Sequence, residues 1–314
     1  MSRIEELVEG AESVALSGHV RPDGDCVGSV MAVYQYLKKN MPWLEVKVFL
    51  ETPPSIFECI QDFEVIDSNM DNSKIYDAFI ALDCNDERLG DAEPIFQRAK
   101  RRINIDHHVS NSGCGDINIV VPEASSTCEV VYDLMNPEKM DMEIAKALYI
   151  GMIHDTGVFK YSNTTPKTFQ TAAKLIAYGF DFPKLIDETF YEKTYGQTQI
   201  MGKALLESVR FMDGKCIFSV VNKETMDFYN ATPKDMDGII NQLRIVKGVE
   251  CAIFMYQSGN MEYKVSMRSN QYVDVAAVAS FFGGGGHVKA AGCTMKGTVH
   301  DVINNLSTRI ALQM

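Results

Sequence analysis

Short apolar runs separated by amphipathic stretches make up the first half of the chain. The runs have the length and composition of buried strands, and they cover residues 12–17, 46–50, 76–82, 101–105 and 117–121. Apolar residues at helical spacing predict a helix that begins near Gly24 or Asp25, and further helices over residues 88–100 and 142–153. Strands that alternate with helices in this way predict an α/β fold with a doubly wound, mainly parallel sheet.

The pattern changes near the middle of the chain. Residues 182–190 are a predicted helix, whereas residues 191–199 are polar, lack an apolar period and are the best candidate for a linker. A helix is expected over residues 200–209, and turn residues at Asp213-Gly214 and Ser258-Gly259-Asn260 predict two hairpins beyond it. The sequence therefore predicts an α/β domain over residues 1–190, a linker and helix over 191–209, and a smaller α+β domain over 210–314, with a cleft between the domains.

The composition is typical of an ordinary globular protein. Of 314 residues, 46% are hydrophobic and 23% are charged, and no run reaches the roughly 20 apolar residues that span a bilayer. The N-terminus is acidic and amphipathic, unlike a signal peptide, so a cytoplasmic location without a membrane partner is expected. Eight cysteines are scattered without a CxxC pair, which favours reduced thiols over a zinc ribbon or a disulfide framework.

The net charge of −12 narrows the choice of partners. It argues against a wide, non-specific grip on duplex DNA, because such binding requires a basic footprint. A small nucleotide is still compatible with it. A carboxylate-rich pocket that binds divalent cations becomes locally positive and then accepts phosphate.

Acids and histidines follow the predicted strands where each one ends. The residues in these positions are His19, Asp23, Asp25, Asp83, Asp106, His107 and His108. In open α/β sheets, ligands bind beyond the carboxyl ends of the strands. Each residue also has a plainer interpretation, as a helix cap for the acids or as a surface feature for the His-His pair. Together they exceed what one metal ion needs, so they predict two divalent ions that share a carboxylate, an arrangement that serves phosphoester hydrolysis.

His154 and Asp155 are a further pair of neighbours, at the end of the helix predicted over residues 142–153. Adjacent side chains on a helix diverge by about 100°, so at most one of the two is expected to face the metal site. Asp155 followed by Gly157 is also the pattern of a simple helix stop.

Four successive glycines precede His287 in the second half. Glycine lets backbone N–H groups approach an anion closely, as in loops that bind phosphate. A flexible hinge is the alternative, but the adjacent His287 and the upstream Arg268 favour phosphate binding.

The motifs GHVRPDGDCVGS, ALDCND, NIDHHVSN, GMIHDTGVF and GGGGHVKAAG occur in this order and span nearly the whole chain. They resemble those of the Asp-His-His (DHH) phosphoesterases with a C-terminal DHHA1 domain. The resemblance implies that His19 and Asp23 bind one metal ion, that Asp25, His107 and Asp155 bind a second, and that Asp83 bridges the two. It also implies that His154 is not a ligand. One departure is Gly18-His19, where the family often has Asp-His; the histidine that supplies the ligand is present.

The remaining site residues also take their roles from the resemblance. His108 would face the substrate phosphate, and Asp106 would orient an imidazole, so both are expected to act in catalysis. Arg268 and the segment Gly284, Gly285, Gly286 and His287 would hold a phosphate or terminal nucleotide. Mn²⁺ is the metal that the family usually uses, with Mg²⁺, Co²⁺ and Fe²⁺ as alternatives.

Within the family, the closest likeness implies hydrolysis of short oligoribonucleotides to mononucleotides and removal of the 3′-phosphate from adenosine 3′,5′-bisphosphate (pAp). A phosphodiesterase for cyclic di-AMP or pApA is the alternative. A manganese pyrophosphatase resembles the N-terminal motifs only, and the GGGGH segment argues against it. A non-catalytic nucleotide sensor would be expected to have lost a ligand, and none is missing. A homodimer through the N-terminal domain is compatible with the sequence.

Overall fold

A computed structural model describes residues 3–70 and 73–314 of the chain. The chain divides into two compact units, Met1–Glu192 and Lys193–Met314, and each contains one six-stranded sheet. Within the described ranges, no helix combines the length and apolar character needed to cross a membrane.

The first unit alternates strands and helices. Its strands are β1 (Ser13–Ser17), β2 (Glu45–Phe49), β3 (Ile66–Asp67), β4 (Ala78–Leu82), β5 (Arg102–Asp106) and β6 (Ile117–Val120). Its helices are α1 (Ile4–Leu7), α2 (Gly24–Asn40), α3 (Glu93–Arg98), α4 (Thr127–Leu134), α5 (Met142–Asp155), α6 (Pro166–Ile176) and α7 (Phe182–Ile186). Short 3₁₀ turns lie between several of them, including Asp86–Arg88 and Gly90–Ala92.

All strands of this sheet are parallel, in the order β3-β2-β1-β4-β5-β6. Leu16, Ile80 and Ile103 lie side by side and pack into the core that includes α2, α4 and α5. Alternate residues point to the opposite face, where Phe79 packs against Phe96 of α3 with ring centroids 5.2 Å apart. Helices on both faces of a parallel sheet confirm the predicted doubly wound architecture.

Two helix predictions in this unit are wrong in extent. The helix expected over residues 88–100 is two 3₁₀ turns followed by α3, because Gly90 takes a left-handed φ of 57° and interrupts a continuous helix. The helix expected over residues 182–190 ends at Ile186, and a π-helical turn, Asp187–Tyr191, continues it.

The second unit contains the other sheet. Its strands are β7 (Val209–Phe211), β8 (Cys216–Val221), β9 (Cys251–Gly259), β10 (Glu262–Ser269), β11 (Gly285–His287) and β12 (Ala290–Lys296). Its helices are α8 (Tyr195–Leu206), α9 (Lys223–Phe228), α10 (Ile239–Arg244), α11 (Val275–Phe281) and α12 (Val299–Ala311). The strand order is β11-β12-β10-β9-β8-β7, and only the β8–β9 pair among these strand pairs is parallel.

Both predicted hairpins are present as β7–β8 and β9–β10. One face of the sheet packs against α11 and α12, and the β8–β9 part of the other face packs against α8 and α10. The chain thus combines a doubly wound domain with a smaller α+β domain whose sheet is mixed, as the sequence predicted.

The segment expected to be a linker is shorter than its polar composition suggested. α8 begins at Tyr195 rather than near residue 200, because Thr194 and Gln197 form a capping box. The Thr194 hydroxyl accepts from the Gln197 N–H at 3.2 Å, and the Gln197 side chain accepts from the Thr194 N–H at 2.9 Å. The polar residues 195–199 therefore form the beginning of a helix and are not part of a linker.

The glycine run also differs from the predicted loop. Gly285–His287 form the edge strand β11, which pairs with Ala290–Gly292 of β12. A Cβ on Gly286 would meet the carbonyl oxygen of Ala290 at 2.5 Å, and one on Gly284 would collide with the backbone of Gly292. Glycine is required at these positions because the two strands approach each other closely.

Candidate metal centre

The residues predicted at the strand ends meet where the strand order of the N-terminal sheet reverses. β1 lies beside β4, and the chain continues outward in opposite directions from this pair. His19 follows β1, Asp83 follows β4 and Asp106 ends β5. Such a switch point opens a crevice at the carboxyl ends of the strands, which positions side chains from separate loops around one site.

Asp83 lies at the centre of this group. It is the first residue after β4, it is buried, and its backbone takes a left-handed φ of 61°, a strained conformation that clusters at functional sites. Its Oδ2 atom lies 3.4 Å from Nε2 of His19, and its Oδ1 atom lies 3.8 Å from Nε2 of His107. The two oxygens of one carboxylate therefore face two different imidazoles, as a bridging ligand requires.

His19, Asp23 and Asp83 form the first group that could hold a metal ion. Nε2 of His19 lies 3.6 Å from Oδ1 of Asp23. Nδ1 of His19 donates to the carbonyl oxygen of Val20 at 2.9 Å, so the imidazole presents the lone pair on Nε2 when it is neutral. Oδ1 of Asp23 also caps α2, since it accepts from the backbone N–H groups of the next turn. Asp23 therefore caps helix α2 and also lies where it could bind a metal ion.

Asp25, His107 and Asp155 form a second group. Nε2 of His107 lies 3.9 Å from Oδ2 of Asp25 and 3.4 Å from Oδ2 of Asp155. Nδ1 of His107 donates to the carbonyl oxygen of Ala124 at 3.3 Å, so this imidazole also presents an unprotonated Nε2 when neutral. The ligand atoms within each group lie within 4.8 Å of one another.

The carboxylates of the two groups crowd negative charge into a buried space. Burial and the neighbouring Asp83 raise the pKa of Asp25 to about 7. Burial and the neighbouring Asp25 raise the pKa of Asp155 to about 7, and burial raises the pKa of Asp83 as well. Burial and like charge therefore disfavour the ionised form of these carboxyls at neutral pH, and a bound cation would compensate for their negative charge.

The histidines respond to the same charge. Burial alone would lower the pKa of His19, but the hydrogen-bonding Asp23 and Asp83 carboxylates raise it to about 10. Burial also acts to lower the pKa of His107. The negative charges of Asp25 and Asp155 outweigh burial, so the pKa of His107 is raised. Oxygen and imidazole donors with oriented Nε2 atoms and excess negative charge fit divalent ions such as Mn²⁺, Fe²⁺, Co²⁺ or Zn²⁺.

Asp106 holds His108 rather than joining either group. Its Oδ1 atom accepts from Nδ1 of His108 at 2.8 Å, and its Oδ2 atom accepts from Nδ2 of Asn111 at 2.5 Å. Burial acts to raise the pKa of Asp106, but these hydrogen bonds hold it below its ordinary value. The same hydrogen bond to Asp106 raises the pKa of His108.

His108 is the most accessible of the three histidines. Its side chain is 39% exposed, against 4% for His19 and 13% for His107. Asp83, His107 and His108 form a third group with ligand spacing, yet the His108 atom that lies 3.6 Å from Asp83 is Nδ1, which already donates to Asp106. Nε2 is therefore the nitrogen of His108 that is left for a ligand.

His154 lies away from these groups. Its ring packs against Phe57 and Phe190, with centroids 5.0 Å and 5.4 Å away. Burial lowers the pKa of His154 to about 4. Of the two neighbours at the end of α5, the structure brings only Asp155 into the groups with ligand spacing.

Sequence reasoning missed the polar residues that hold the candidate ligands. The Thr127 hydroxyl donates to Oδ1 of Asp83 at 3.0 Å, and the Thr127 N–H donates to Oδ2 of Asp25 at 2.6 Å. Asn163 donates to Oδ2 of Asp155 at 3.4 Å. Asn111 and Asn104 are linked by a 2.9 Å hydrogen bond beneath Asp106. The one available signal was Asn104, a polar residue between Ile103 and Ile105 in β5.

The predicted substrate-binding residues lie in the second unit. Arg268 on β10 pairs with Ala290 on β12, which pairs with His287 on β11. Residues directly opposite each other point to the same face, so Arg268 and His287 share a face. Arg268 makes no ion pair within the described residues, and burial and the nearby Arg244 lower its pKa. Gly285 and Gly286 are exposed beside them at the sheet edge.

Comparison with known proteins agrees with both units. Residues 13–152 match the model of the DHH family, N-terminal domain, and residues 213–312 match that of the DHHA1 domain. A solved structure of an exopolyphosphatase-related protein from Bacteroides fragilis shares the fold, with a TM-score of 0.86 and 24% identity. That match covers 98% of this chain and 94% of the other.

Two curated relatives match over most of their length. The bifunctional oligoribonuclease and PAP phosphatase NrnA of Thermus thermophilus is 30% identical over 304 residues, which cover 95% of this chain and 89% of that protein. The protein of the same name from Bacillus subtilis is 26% identical over 293 residues, which cover 90% of each chain. The chain therefore belongs to the DHH family and carries the DHHA1 domain in its C-terminal half.

Proposed function

We propose that this protein is a hydrolase that uses two divalent metal ions, Mn²⁺ first among them, to cleave short oligoribonucleotides to mononucleotides and to remove the 3′-phosphate of pAp. The observation that carries the proposal is the Asp83 carboxylate, whose oxygens face His19 on one side and His107 on the other. The two curated relatives are named for these activities, and the shared fold supports the same chemistry here.

Six residues would hold the two ions. His19 and Asp23 would bind one, Asp25, His107 and Asp155 the other, and Asp83 both. When bound, such an ion pair supplies Lewis-acid charge that activates water and stabilises the phosphoryl oxygens. The backbone N–H groups of Thr127 and Cys128 keep the Asp25 carboxylate in place, at 2.6 Å and 2.9 Å.

His108 would act on the substrate itself. Asp106 fixes its Nδ1–H, so Nε2 is the atom that would donate a proton to the leaving oxygen or a hydrogen bond to the phosphate. The raised pKa of His108 keeps it protonated further into the neutral range than a free imidazole. Asp106 would act through His108, by orienting its ring and stabilising its positive charge.

The second unit would hold the substrate phosphate. Residues 193–314 hold thirteen Lys and Arg against ten Asp and Glu, a net charge of +3, whereas residues 1–192 hold seventeen against thirty-two, a net charge of −15. Arg268 has no acidic partner among the residues that the structure describes, and together with His287 and the glycine backbone of residues 284–286 it suits an anion. A compact anionic substrate, rather than duplex nucleic acid, agrees with this distribution.

One panel of substrates tests the proposal. The purified protein, loaded with Mn²⁺, Mg²⁺ or Co²⁺ in turn, is incubated with pAp, di- to pentaribonucleotides, cyclic di-AMP, pApA and pyrophosphate. We expect turnover of short ribonucleotides and pAp, fastest with Mn²⁺. Turnover of pyrophosphate alone would overturn the proposal, and turnover of cyclic di-AMP in preference to pAp would redirect it to the dinucleotide alternative.

Asp83→Asn is the matched variant for this panel. It keeps the size of the side chain but removes the charge that would bridge two ions, so activity should be lost with every metal. Asp91→Asn changes an exposed acid in the 3₁₀ turn Gly90–Ala92 and should leave activity intact.

A further inference from the structure

Glu129 is a buried acid in the first turn of α4, and it belongs to none of the groups with ligand spacing. Burying a carboxylate is costly unless hydrogen bonds satisfy it. Its Oε2 atom accepts from the hydroxyl of Ser125 at 2.5 Å, from the N–H of Ser125 at 3.3 Å and from the hydroxyl of Thr168 at 2.9 Å. Its Oε1 atom makes no hydrogen bond to the described residues and lies 3.5 Å from Nζ of Lys167. One carboxylate oxygen therefore joins the residues that precede α4 to the first turn of α6.

The segment that Glu129 holds in front of α4 also holds two of the candidate metal ligands. Residues 125–127 are fully buried. Thr127, at the end of this segment, donates its hydroxyl to Asp83 and its backbone N–H to Asp25. A displacement of the segment would therefore move both donors away from the carboxylates that they orient.

A third candidate ligand, Asp155, is reached from the same segment through Asn163. Nδ2 of Asn163 donates to the carbonyl oxygen of Ser125 at 2.8 Å, to the carbonyl oxygen of Asp155 at 3.2 Å and to Oδ2 of Asp155 at 3.4 Å. Five residues further along the chain, Thr168 binds Glu129 itself, so a second contact ties this part of the chain to the start of α4. The supports of both metal-binding groups thus meet at one buried carboxylate.

We propose that Glu129 is a positioning residue for both metal ions. Its carboxylate holds residues 125–127 against the start of α6, in the arrangement in which their donors orient three candidate ligands. This inference rests on the proposed function, because it concerns the same two-metal centre. Loss of the contacts that orient a metal ligand costs about 10–100-fold in metal affinity. Because the Asp83 carboxylate would serve both ions, the affinities for both should fall together.

Calorimetric titration of the metal-free, full-length protein with Mn²⁺ tests the inference. Glu129→Met keeps the length of the side chain and removes the three hydrogen bonds, so Mn²⁺ affinity should fall by about tenfold or more. Glu129→Gln retains an oxygen that can accept the same hydrogen bonds, and its amide nitrogen would replace the oxygen that accepts none from the described residues. This variant should bind Mn²⁺ nearly as tightly as the wild type. Because Met and Gln fill similar space, a difference between them reports the hydrogen bonds.

Leu134→Ala is the control for lost stability. Leu134 is buried at the opposite end of α4, and its apolar side chain packs in the core of the first unit. The cavity that the substitution leaves should lower the metal-free Tm at least as much as Glu129→Met does. The Mn²⁺ affinity of Leu134→Ala, measured well below its Tm, should equal that of the wild type.

Ser125→Ala is a milder variant that decides the matter if Glu129→Met does not fold. It removes only the hydroxyl that donates to Glu129, so it should weaken Mn²⁺ binding less than Glu129→Met but measurably. Wild-type affinity in Glu129→Met or in Ser125→Ala would overturn the inference, and so would a loss in Leu134→Ala or Glu129→Gln as large as in Glu129→Met. Turnover of pAp by the wild type would stand in those cases. A wild-type protein that binds no Mn²⁺ would instead overturn the two-metal centre and this inference with it, so the two failures are distinguishable.

Discussion

The Thr127 hydroxyl donates a hydrogen bond to Oδ1 of Asp83 across 3.0 Å, which links the first residue of α4 to the residue that follows β4. The same threonine donates its backbone N–H to Asp25 at 2.6 Å. One residue therefore orients two of the carboxylates that would bind metal, one in the first turn of α2 and one that follows β4. Such supporting contacts set the direction of ligand lone pairs and thereby the affinity of a site for its ion.

Thr127→Val removes the hydroxyl but keeps the branched shape and the backbone N–H. We expect Mn²⁺ affinity to fall by about tenfold or more, because the Asp83 carboxylate loses the donor that fixes its orientation. Metal titration by calorimetry measures the effect. Thr127→Ser keeps the hydroxyl and should bind Mn²⁺ nearly as well as the wild type; equal affinities for all three proteins would show that the hydroxyl does not orient Asp83.

His108→Ala separates the roles of the two adjacent histidines. Because Nδ1 of His108 is bonded to Asp106, we expect the variant to retain its bound metal while turnover falls by about a hundredfold or more. His107→Ala is the comparison, and it should lose metal as well as turnover. Metal content by mass spectrometry decides the matter: loss of metal in His108→Ala, with retention in His107→Ala, would exchange the two roles.

The strand ends could be predicted from the sequence because short apolar runs mark parallel strands, and topology brings their carboxyl ends together. This reasoning places His19, Asp83 and His107 at one edge of the sheet, where the structure brings them together. Thr127 could not be found, since its partner Asp83 is 44 residues away in sequence and no local pattern encodes that contact. A residue that only positions a metal ligand, as Thr127 positions Asp83, is not marked by a sequence motif.

The second unit was harder to predict for a different reason. Gly285–His287 form a strand although glycine is a poor strand former, because the close approach of β12 excludes a Cβ at Gly286. Tertiary packing overrides local preference there. At Tyr195 the reverse holds, since the capping pair Thr194 and Gln197 was a local signal that the polar composition concealed.

Arg268→Ala should raise KM for pAp by about tenfold or more and change kcat much less. The guanidinium has no acidic partner to release within the described residues, so its loss removes substrate binding without freeing a buried acid. Steady-state kinetics on the Mn²⁺-loaded protein measures both constants. Lys296→Ala, at an exposed position on β12, controls for a general loss of positive charge. An unchanged KM in Arg268→Ala would remove this residue from substrate binding.

The metal-free protein should lose stability as the pH rises from about 6.5 to 8.5. Asp25 and Asp155 have pKa values of about 7 in the folded chain, and His19 has one of about 10, all above their ordinary unfolded values. A group whose pKa is higher in the folded than in the unfolded protein stabilises the fold fully at a pH below its unfolded pKa. That stabilisation is lost as the pH rises through the pKa of the group in the folded protein. Burial lowers the pKa of His154 to about 4 in the folded protein. His154 therefore makes stability rise with pH, but only below the pKa of an unfolded histidine, about 6.5, which lies outside the range from pH 6.5 to 8.5.

Bound metal should reverse the trend, because divalent ions replace the protons on these ligands and bind more tightly as the pH rises. Thermal unfolding with EDTA and with Mn²⁺, at several pH values, measures the difference in Tm, which should widen from about pH 6.5 to 8.5. Asp155→Asn removes one of the raised carboxyls, so its metal-free Tm should fall less steeply than that of the wild type. A metal-free Tm that rises across this window would mean that the carboxylates are not held together in the folded protein as the distances around His107 indicate.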